Sequence, residues 1–426
     1  MPGLASRISS EQILAGCLLF LCAGVFLGNA FIAIGQGLLI LAIISAYIRR
    51  DQIRWDWKGL SLSSWFLIAA TVVSFVSIIA NLETISEPMQ YVKKLRYPAF
   101  IIALLLLSKV REGEVLSLTK RNIYVSAWLA AIAISFVIGL VDFMNIGGSE
   151  GGGKFDGSER FSGLYGQVMT FAYILQFSVI ALFVFLIRPK LFRRLTQVRW
   201  VIVIPVLIIA LIGLYLSFTR GAVLGAIVGV GIAALFRSRW MLVPMAAAAL
   251  IVGVFSYQQH TRYFEFGPVH RTAHWTGAAL TFAKYPVFGV GYRNYEIRSA
   301  GLKKDFGLPP DQKFKRQKNA EDGYLKRHAH NNFLEAFAST GVFGGIAFLG
   351  FCFCWMREAW RSHYAMLFVP LIAAFLVSGF FENTFFDSEV LNCILLIYLF
   401  SQIVFDAEVA VDRKNQLSAG TTTTET

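Results

Sequence analysis

Histidine and arginine are unevenly placed along this chain. Five of the six histidines (His260, His270, His274, His328 and His330) fall within 258–332. So do 13 of the 39 Lys+Arg residues, among them Arg262, Arg271, Arg293, Arg298, Arg316 and Arg327. Histidine is the side chain best suited to take a proton near neutral pH. Arginine presents a planar fork of donors that fits phosphate oxygens. Together they suggest a site that moves a proton on an anionic, phosphorylated substrate. A basic loop that merely meets anionic headgroups would have the same composition. The sharpest run is His328-Ala329-His330-Asn331-Asn332-Phe333-Leu334-Glu335, leading to Gly341-Val342-Phe343-Gly344. Apolar residues follow His330 at once, so it stands where a polar segment enters an apolar one. The dipole at a helix start disfavours a cationic imidazole, which keeps the neutral base available there.

Other candidates lie further off. Phe218-Thr219-Arg220-Gly221 sets an arginine between two apolar runs with almost no loop. A charge so close to a membrane interior is a functional candidate, with snorkelling to the interface as the plain alternative. Arg160 closes a glycine-rich stretch and reads either as a ligand or as a loop charge. Gly289-Val290-Gly291 has no strand before it and reads as a turn. His270 and His274 share a helix face, but His-Arg-Thr-Ala-His carries arginine where a zinc protease carries its glutamate. No metal site is expected. Glu382, Asp387 and Glu389 read as solvated loop charges rather than as the carboxylate pair of a glycosidase.

The elements that position these residues are apolar helices. Of 426 residues, 56% are hydrophobic and only 15% charged, against about 25% in soluble domains. That is about 240 apolar residues, or twelve spans at about 20 each. Mean hydropathy is +0.60. A soluble enzyme, a disordered chain and a fibrous protein are excluded, and continuous rather than alternating apolar runs exclude a membrane barrel. The runs are Gln12–Leu27, Ala30–Ile48, Leu60–Ile79, Tyr97–Ser108, Ile123–Val141, Val168–Ile187, Trp200–Phe218, Ala222–Phe236, Met241–Tyr257, Phe333–Trp355, Tyr364–Phe381 and Val390–Phe405. The five cysteines all sit inside them and read as small core residues.

With the N-terminus inside, the inner loops hold 20 of the 39 cations and the short outer loops 6, as the positive-inside rule asks. The net charge of +13 is thus a matter of topology, and no nucleic-acid partner is expected. The expected organisation is nine spans over 1–257 with a glycine-rich outer loop at 142–167. An outer segment over 258–332 follows, carrying the site. Three spans at 333–405 and a disordered inner tail at 406–426 complete it. Trp275, Ala279 and Phe282, with Arg271 on the same face, predict a helix that Pro286 ends. The charged stretch Lys303–Lys326 reads as a solvated loop or short surface helix.

The stretch from His330 to Gly344 fits the pattern H-[N/S/Q]-x9-G-x-x-[G/T/Y] through His330, Asn331, Gly341 and Gly344. In this it resembles bacterial O-antigen ligases, and the topology is similar too. Leu216–Gly221 resembles that family's arginine after a span. His270-Arg271, Trp275 and Pro286-x-x-Gly289-x-Gly291 resemble the stretch before its histidine motif. The resemblance implies an all-α polytopic membrane protein of a GT-C-like kind, with about twelve spans and one large periplasmic segment between the ninth and tenth. It implies an inverting, metal-independent glycosyltransferase of the inner membrane that uses no cofactor. Its donor would be O-antigen on undecaprenyl pyrophosphate, and its acceptor a sugar hydroxyl of lipid A-core. His330 would be the general base, with His328 and Asn331 in support. Arg160, Arg220 and Arg271 would bind the pyrophosphate, with Arg293 in reserve. An O-antigen or exopolysaccharide polymerase of the same superfamily is the nearest alternative. A polysaccharide or lipid transporter is a second; it predicts internal repeats and ionisable residues inside spans, which the sequence does not display.

Overall fold

A bilayer offers the backbone no water, so an apolar run must close its hydrogen bonds within a helix. The computed structural model describes residues 10–48, 57, 59–108, 118–144, 160–243, 269–308, 320–321 and 324–421. Helices α1 (Ser10–Leu27) and α2 (Asn29–Ile48) pack as a hairpin that turns at Gly28. Then come α3 (Leu62–Ala80), α4 (Pro88–Lys94), α5 (Arg96–Ser108) and α6 (Leu118–Phe143). Next are α7 (Val168–Ile187), α8 (Pro189–Leu195), α9 (Val203–Leu216) and α10 (Arg220–Arg237). Two shorter helices, α11 (Val269–Lys284) and α12 (Asn294–Asp305), precede a two-residue strand pair, β1 (Ala320–Glu321) and β2 (Tyr324–Leu325). The chain closes with α13 (Asn332–Arg361), α14 (Ala365–Gly379) and α15 (Ser388–Thr421). α3 lies along α13 and α10 along α14, while α7 is buried on nearly every face at the centre.

Among the described residues, six helices are long and apolar enough to cross a membrane: α3, α6, α7, α10, α13 and the first part of α15. A seventh is possible if the pair Pro189–Leu195 and Trp200–Leu216, bent by 112°, counts as one broken span. Apart from the β1–β2 pair and the short turns, the described residues form the helical scaffold of a polytopic membrane protein. Several expected spans come out differently. The first two are α1 and α2, of 18 and 20 residues, and the eleventh is a shorter apolar helix, Ala365–Gly379. The fourth is α5, whose 13 residues reach only about 20 Å at 1.5 Å each, too short for a core of about 30 Å. Only with α4, which adjoins it at Leu95, does that run gain a span's length. The expected ninth span beyond Val243, the loop residues 145–159 and His260 lie outside the described residues.

Two further expectations are corrected. Lys303 is not on a solvated loop but fully buried in α12, its stem against Gly277 of α11. The tail is not wholly irregular, since α15 continues as helix to Thr421. The segment Asp406–Thr421 has three alanines and no proline, so nothing in it breaks the helix past the apolar run. The helix expected over Trp275–Phe282 forms as α11 and stops at Lys284, two residues before Pro286.

Candidate active site

The site forms where two loops meet at one end of α13 and α14. His330 takes a left-handed conformation, φ 50°, which re-aims the chain before α13 begins. Asn331 is the helix cap, its Oδ1 accepting from the amides of Phe333 at 2.9 Å and Leu334 at 3.0 Å. The buried Glu335 reaches back one turn, accepting from the Ala329 amide at 2.8 Å and from Ser339 Oγ at 2.8 Å. Caps on both sides thus hold the strained histidine. The second loop, 380–387, is stitched to the first. Asn331 Nδ2 donates to the Phe380 carbonyl at 3.2 Å, Asn332 Nδ2 to Thr384 Oγ1 at 2.8 Å, and the Phe385 amide to Asn332 Oδ1 at 2.9 Å.

That stitching places Glu382, 6% exposed, against both histidines. His328 Nε2 lies 2.5 Å from Glu382 Oε1, and His330 Nδ1 lies 3.0 and 3.1 Å from the two carboxylate oxygens. Burial alone would raise the Glu382 carboxyl, but His330 and His328 hold it well below the usual carboxylate range. Burial alone would lower His328; Glu382 and Glu296 instead push it up to about 10, so it is an imidazolium at neutral pH. The Glu296 carboxyl, on α12, is lowered in turn by its hydrogen bond with His328. With Glu382 ionised, His330 donates from Nδ1, which leaves Nε2 as the basic nitrogen. A carboxylate that fixes the tautomer of a histidine in this way is the arrangement of a general base.

The glycines of the motif explain how α11 and α12 reach this point. α13 breaks at Gly341, φ 70° and ψ −165°. A Cβ there would lie 2.1 Å from the Val287 carbonyl oxygen, so only glycine lets the 286–291 turn approach. The turn then fills the broken ladder: the Val342 amide donates to the Pro286 carbonyl at 2.8 Å, Val290 to Ala338 at 3.0 Å and Gly291 to Ser339 at 3.1 Å. Ser77 of α3 donates to the carbonyls of Phe288 and Ser339, locking a third element in. α11 thereby brings the buried His274 ring to 5.4 Å from that of His330.

The four arginines separate by role. Arg160 donates from Nε to the Ser217 carbonyl at 2.8 Å and from a terminal nitrogen to Thr219 Oγ1 at 2.9 Å, bracing the turn between α9 and α10. Phe161 beside it is fully buried between Phe136 and Phe171, which anchors the end of the glycine-rich stretch. Arg220 is exposed at the first residue of α10. Gly221 after it packs against the Tyr173 hydroxyl, where a Cβ would stand 2.3 Å away. Arg271 lies over the Phe381 ring at 5.9 Å, one residue from Glu382. The buried Tyr173 sits within electrostatic range of Glu382, Arg271 and Arg160. Arg293, left-handed at φ 61°, belongs to the other flank, with Tyr292, Glu296 and Lys94. One of its terminal nitrogens is buried without a hydrogen-bond partner among the described residues.

His328, His330 and Glu382 are also the group among the described residues that could hold a metal ion, their ligand atoms lying within 4.8 Å of one another. Two histidines and a glutamate form a zinc-type donor set. Ligands about 2.0–2.1 Å from one zinc stand roughly 3.3 Å apart in a tetrahedron. The 2.5 Å between His328 and Glu382 is instead a direct hydrogen bond. The residues as placed fit a proton-handling triad and would have to separate to ligate an ion. His270 and His274 form no such group with any described residue.

Sequence reasoning missed Glu382, the partner of both histidines. It is not a solvated loop charge, because the two loops bury it. Its signal is the run Phe380-Phe381-Glu382-Asn383-Thr384-Phe385-Phe386, in which two aromatic pairs flank one carboxylate. Asp387 is likewise engaged: it caps α15, accepts from Thr170 at 2.9 Å, and burial raises its carboxyl to about 6. Glu335 and Tyr173 were legible only as residues of apolar runs.

No curated protein matches the chain. Residues 205–349 match the family model described as O-antigen ligase. That interval begins in α9 and includes the Arg220 turn, α11, α12 and the histidine motif to the middle of α13; Arg160 and Glu382 fall outside it. The stretch of this chain that carries the histidine, the two glycines and Arg220, Arg271 and Arg293 is thus similar to the O-antigen ligase family.

Proposed function

We propose that this protein is the ligase itself. In this reading it transfers O-antigen polysaccharide from undecaprenyl pyrophosphate to a sugar hydroxyl of lipid A-core at the periplasmic face of the inner membrane. The observation that carries the reading is the hydrogen-bonded pair His330–Glu382. His330 Nε2 takes the proton of the acceptor hydroxyl, and the freed oxygen attacks the anomeric carbon. The bond to the pyrophosphate oxygen breaks on the opposite face, so the configuration inverts. Undecaprenyl pyrophosphate departs as an anion, which Arg220 and Arg271 stabilise where charge develops. Arg160 holds the Arg220 turn in place, and Arg293 stands in reserve for the pyrophosphate. No nucleotide sugar or ATP enters. The chain crosses the membrane twelve times in this reading, with both termini cytoplasmic.

The test is transfer by the purified protein in detergent, with undecaprenyl-pyrophosphate-linked O-antigen as donor, rough lipopolysaccharide as acceptor and EDTA present. Wild type is expected to make high-molecular-weight lipopolysaccharide. His330→Ala is expected to lower the rate by about 10³-fold while remaining folded. Lengthening of the lipid-linked donor with the acceptor ignored would make the protein a polymerase and end the ligase reading. Loss of wild-type activity in EDTA, restored by zinc, would replace the proton triad by a metal centre.

A further inference from the structure

From Val25 and Cys393 toward Arg121 and Val404, away from His330, a cavity of about 220 Å³ runs between α1, α6, α7, α14 and α15. It is larger than an apolar cavity that admits benzene, about 150 Å³. Its wall is almost wholly apolar and it is partly open to the outside. Along α15 it runs from Cys393 to Val404, about 16 Å at 1.5 Å per residue, close to half of a hydrocarbon core of about 30 Å. That is the depth of one leaflet. Arg121, at the start of α6, is the charged residue in the lining. Its Nε is buried and has no hydrogen-bond partner among the described residues. Among the described residues, a terminal nitrogen reaches the Arg194 carbonyl at 3.5 Å, a long hydrogen bond. The same end carries Lys120, Arg193, Arg194 and Arg199.

An apolar slot one leaflet deep, with an under-satisfied guanidinium at its mouth and further cations beside it, matches a chain bearing an anionic head. We propose that this cavity binds one acyl chain of an anionic phospholipid from the leaflet opposite the histidine site. The phosphodiester would bond to Arg121 through Nε and a terminal nitrogen. Phosphatidylglycerol has a net negative head, and phosphatidylcholine cancels its phosphate with a choline. The basic rim therefore selects the first. The site is separate from the proposed transfer chemistry, and its occupancy is read without any transfer assay.

Trp128 lines the cavity and serves as the reporter. Delipidated protein in detergent would be titrated with phosphatidylglycerol or phosphatidylcholine carrying brominated chains. The Trp128 signal is taken as the difference between wild type and Trp128→Phe. Brominated phosphatidylglycerol should quench it at a concentration at least tenfold below phosphatidylcholine. Arg121→Gln should erase that preference, Arg121→Lys should keep most of it, and Ala181→Leu, which fills the slot, should abolish quenching by either lipid. Melting temperatures identify any variant that has failed to fold, and Arg121→Gln, near the mouth, keeps the test open if Ala181→Leu does. Equal quenching by the two lipids, or an unchanged preference in Arg121→Gln, would overturn the proposal. Displacement of phosphatidylglycerol by a tenfold lower concentration of polyprenyl phosphate would overturn it in favour of an isoprenoid occupant.

Discussion

The two ends of α13 each hold a carboxylate in a polar cluster, and the clusters differ in kind. At the C-terminal end, which the proposed topology makes the inner one, Glu358 accepts from the Ser63 amide at 3.0 Å, from Ser63 Oγ at 2.5 Å and from Gln402 Nε2 at 2.9 Å. Tyr398 joins the same patch through Ser63 and Ser64. All of these partners are neutral, none carries a left-handed backbone, and together they latch α3, α13 and α15. At the outer end, Glu382 is paired with two histidines, one of them strained at φ 50°. Burial and polarity are common to both. Only the outer cluster pairs its carboxylate with histidines, and only there does the backbone leave its preferred region. A buried carboxylate therefore does not mark a site; its pairing with titratable partners in a strained loop does.

The sharpest way to break this contrast is Glu382→Gln. The amide keeps the size of the side chain but no longer fixes the His330 tautomer. The expected result is a kcat about 10³-fold lower in the transfer assay, with little change in the KM for donor. A wild-type rate would reduce Glu382 to a structural latch like Glu358.

Next come Arg271→Ala and Arg220→Ala, each expected to lower kcat by about 10²-fold through lost stabilisation of the leaving pyrophosphate. Retained activity in both variants would remove the arginines from the chemistry and leave the site to the histidine triad alone.

The pH dependence of stability separates the clusters without any substrate. His328 is raised from 6.5 to about 10, so its contribution is complete below about pH 6.5 and is lost as pH rises through about 10. Glu382 is depressed below its ordinary 4.5, so its contribution is complete above that value and is lost as pH falls below it. The melting temperature should be highest between about pH 4.5 and 6.5 and fall by a few degrees on either side. In Glu382→Gln both limbs should flatten. Limbs unchanged in that variant would assign them to groups elsewhere.

The smallest effect is expected from Glu358→Gln. A neutral side chain among neutral donors should cost about 1 kcal/mol of stability and change kcat by less than about twofold. A large loss of transfer would mean that the inner latch is coupled to the outer site.

Much of the outer site was legible in the sequence because its parts are local. The spacing from His330 to Gly341 and Gly344 marks a cap, a kink and a close approach, each set by residues a few positions apart. The helical spacing of Trp275, Ala279 and Phe282 likewise placed α11, since periodicity is a property of one segment. Glu382 was not legible as His330's partner because 52 residues and two helices separate them. Nothing in either loop alone says that Asn331 and Asn332 will bond the other. Arg160 was singled out by composition, but its hold on Ser217 and Thr219 depends on how α9 and α10 pack beside Phe161.

By itself the sequence determined the helical membrane class and the motif at the start of α13. Hydrophobic length and local caps are one-dimensional properties, and a bilayer permits few answers to them. The tertiary structure decided which charges are solvated and which are paired. It turned Glu382 and Lys303 from expected surface charges into buried ones, and Asp387 from a loop charge into a helix cap. It also joined 286–291 to the break at Gly341. The physical reason is that burial and hydrogen-bond pairing across distant segments exist only once the helices have packed.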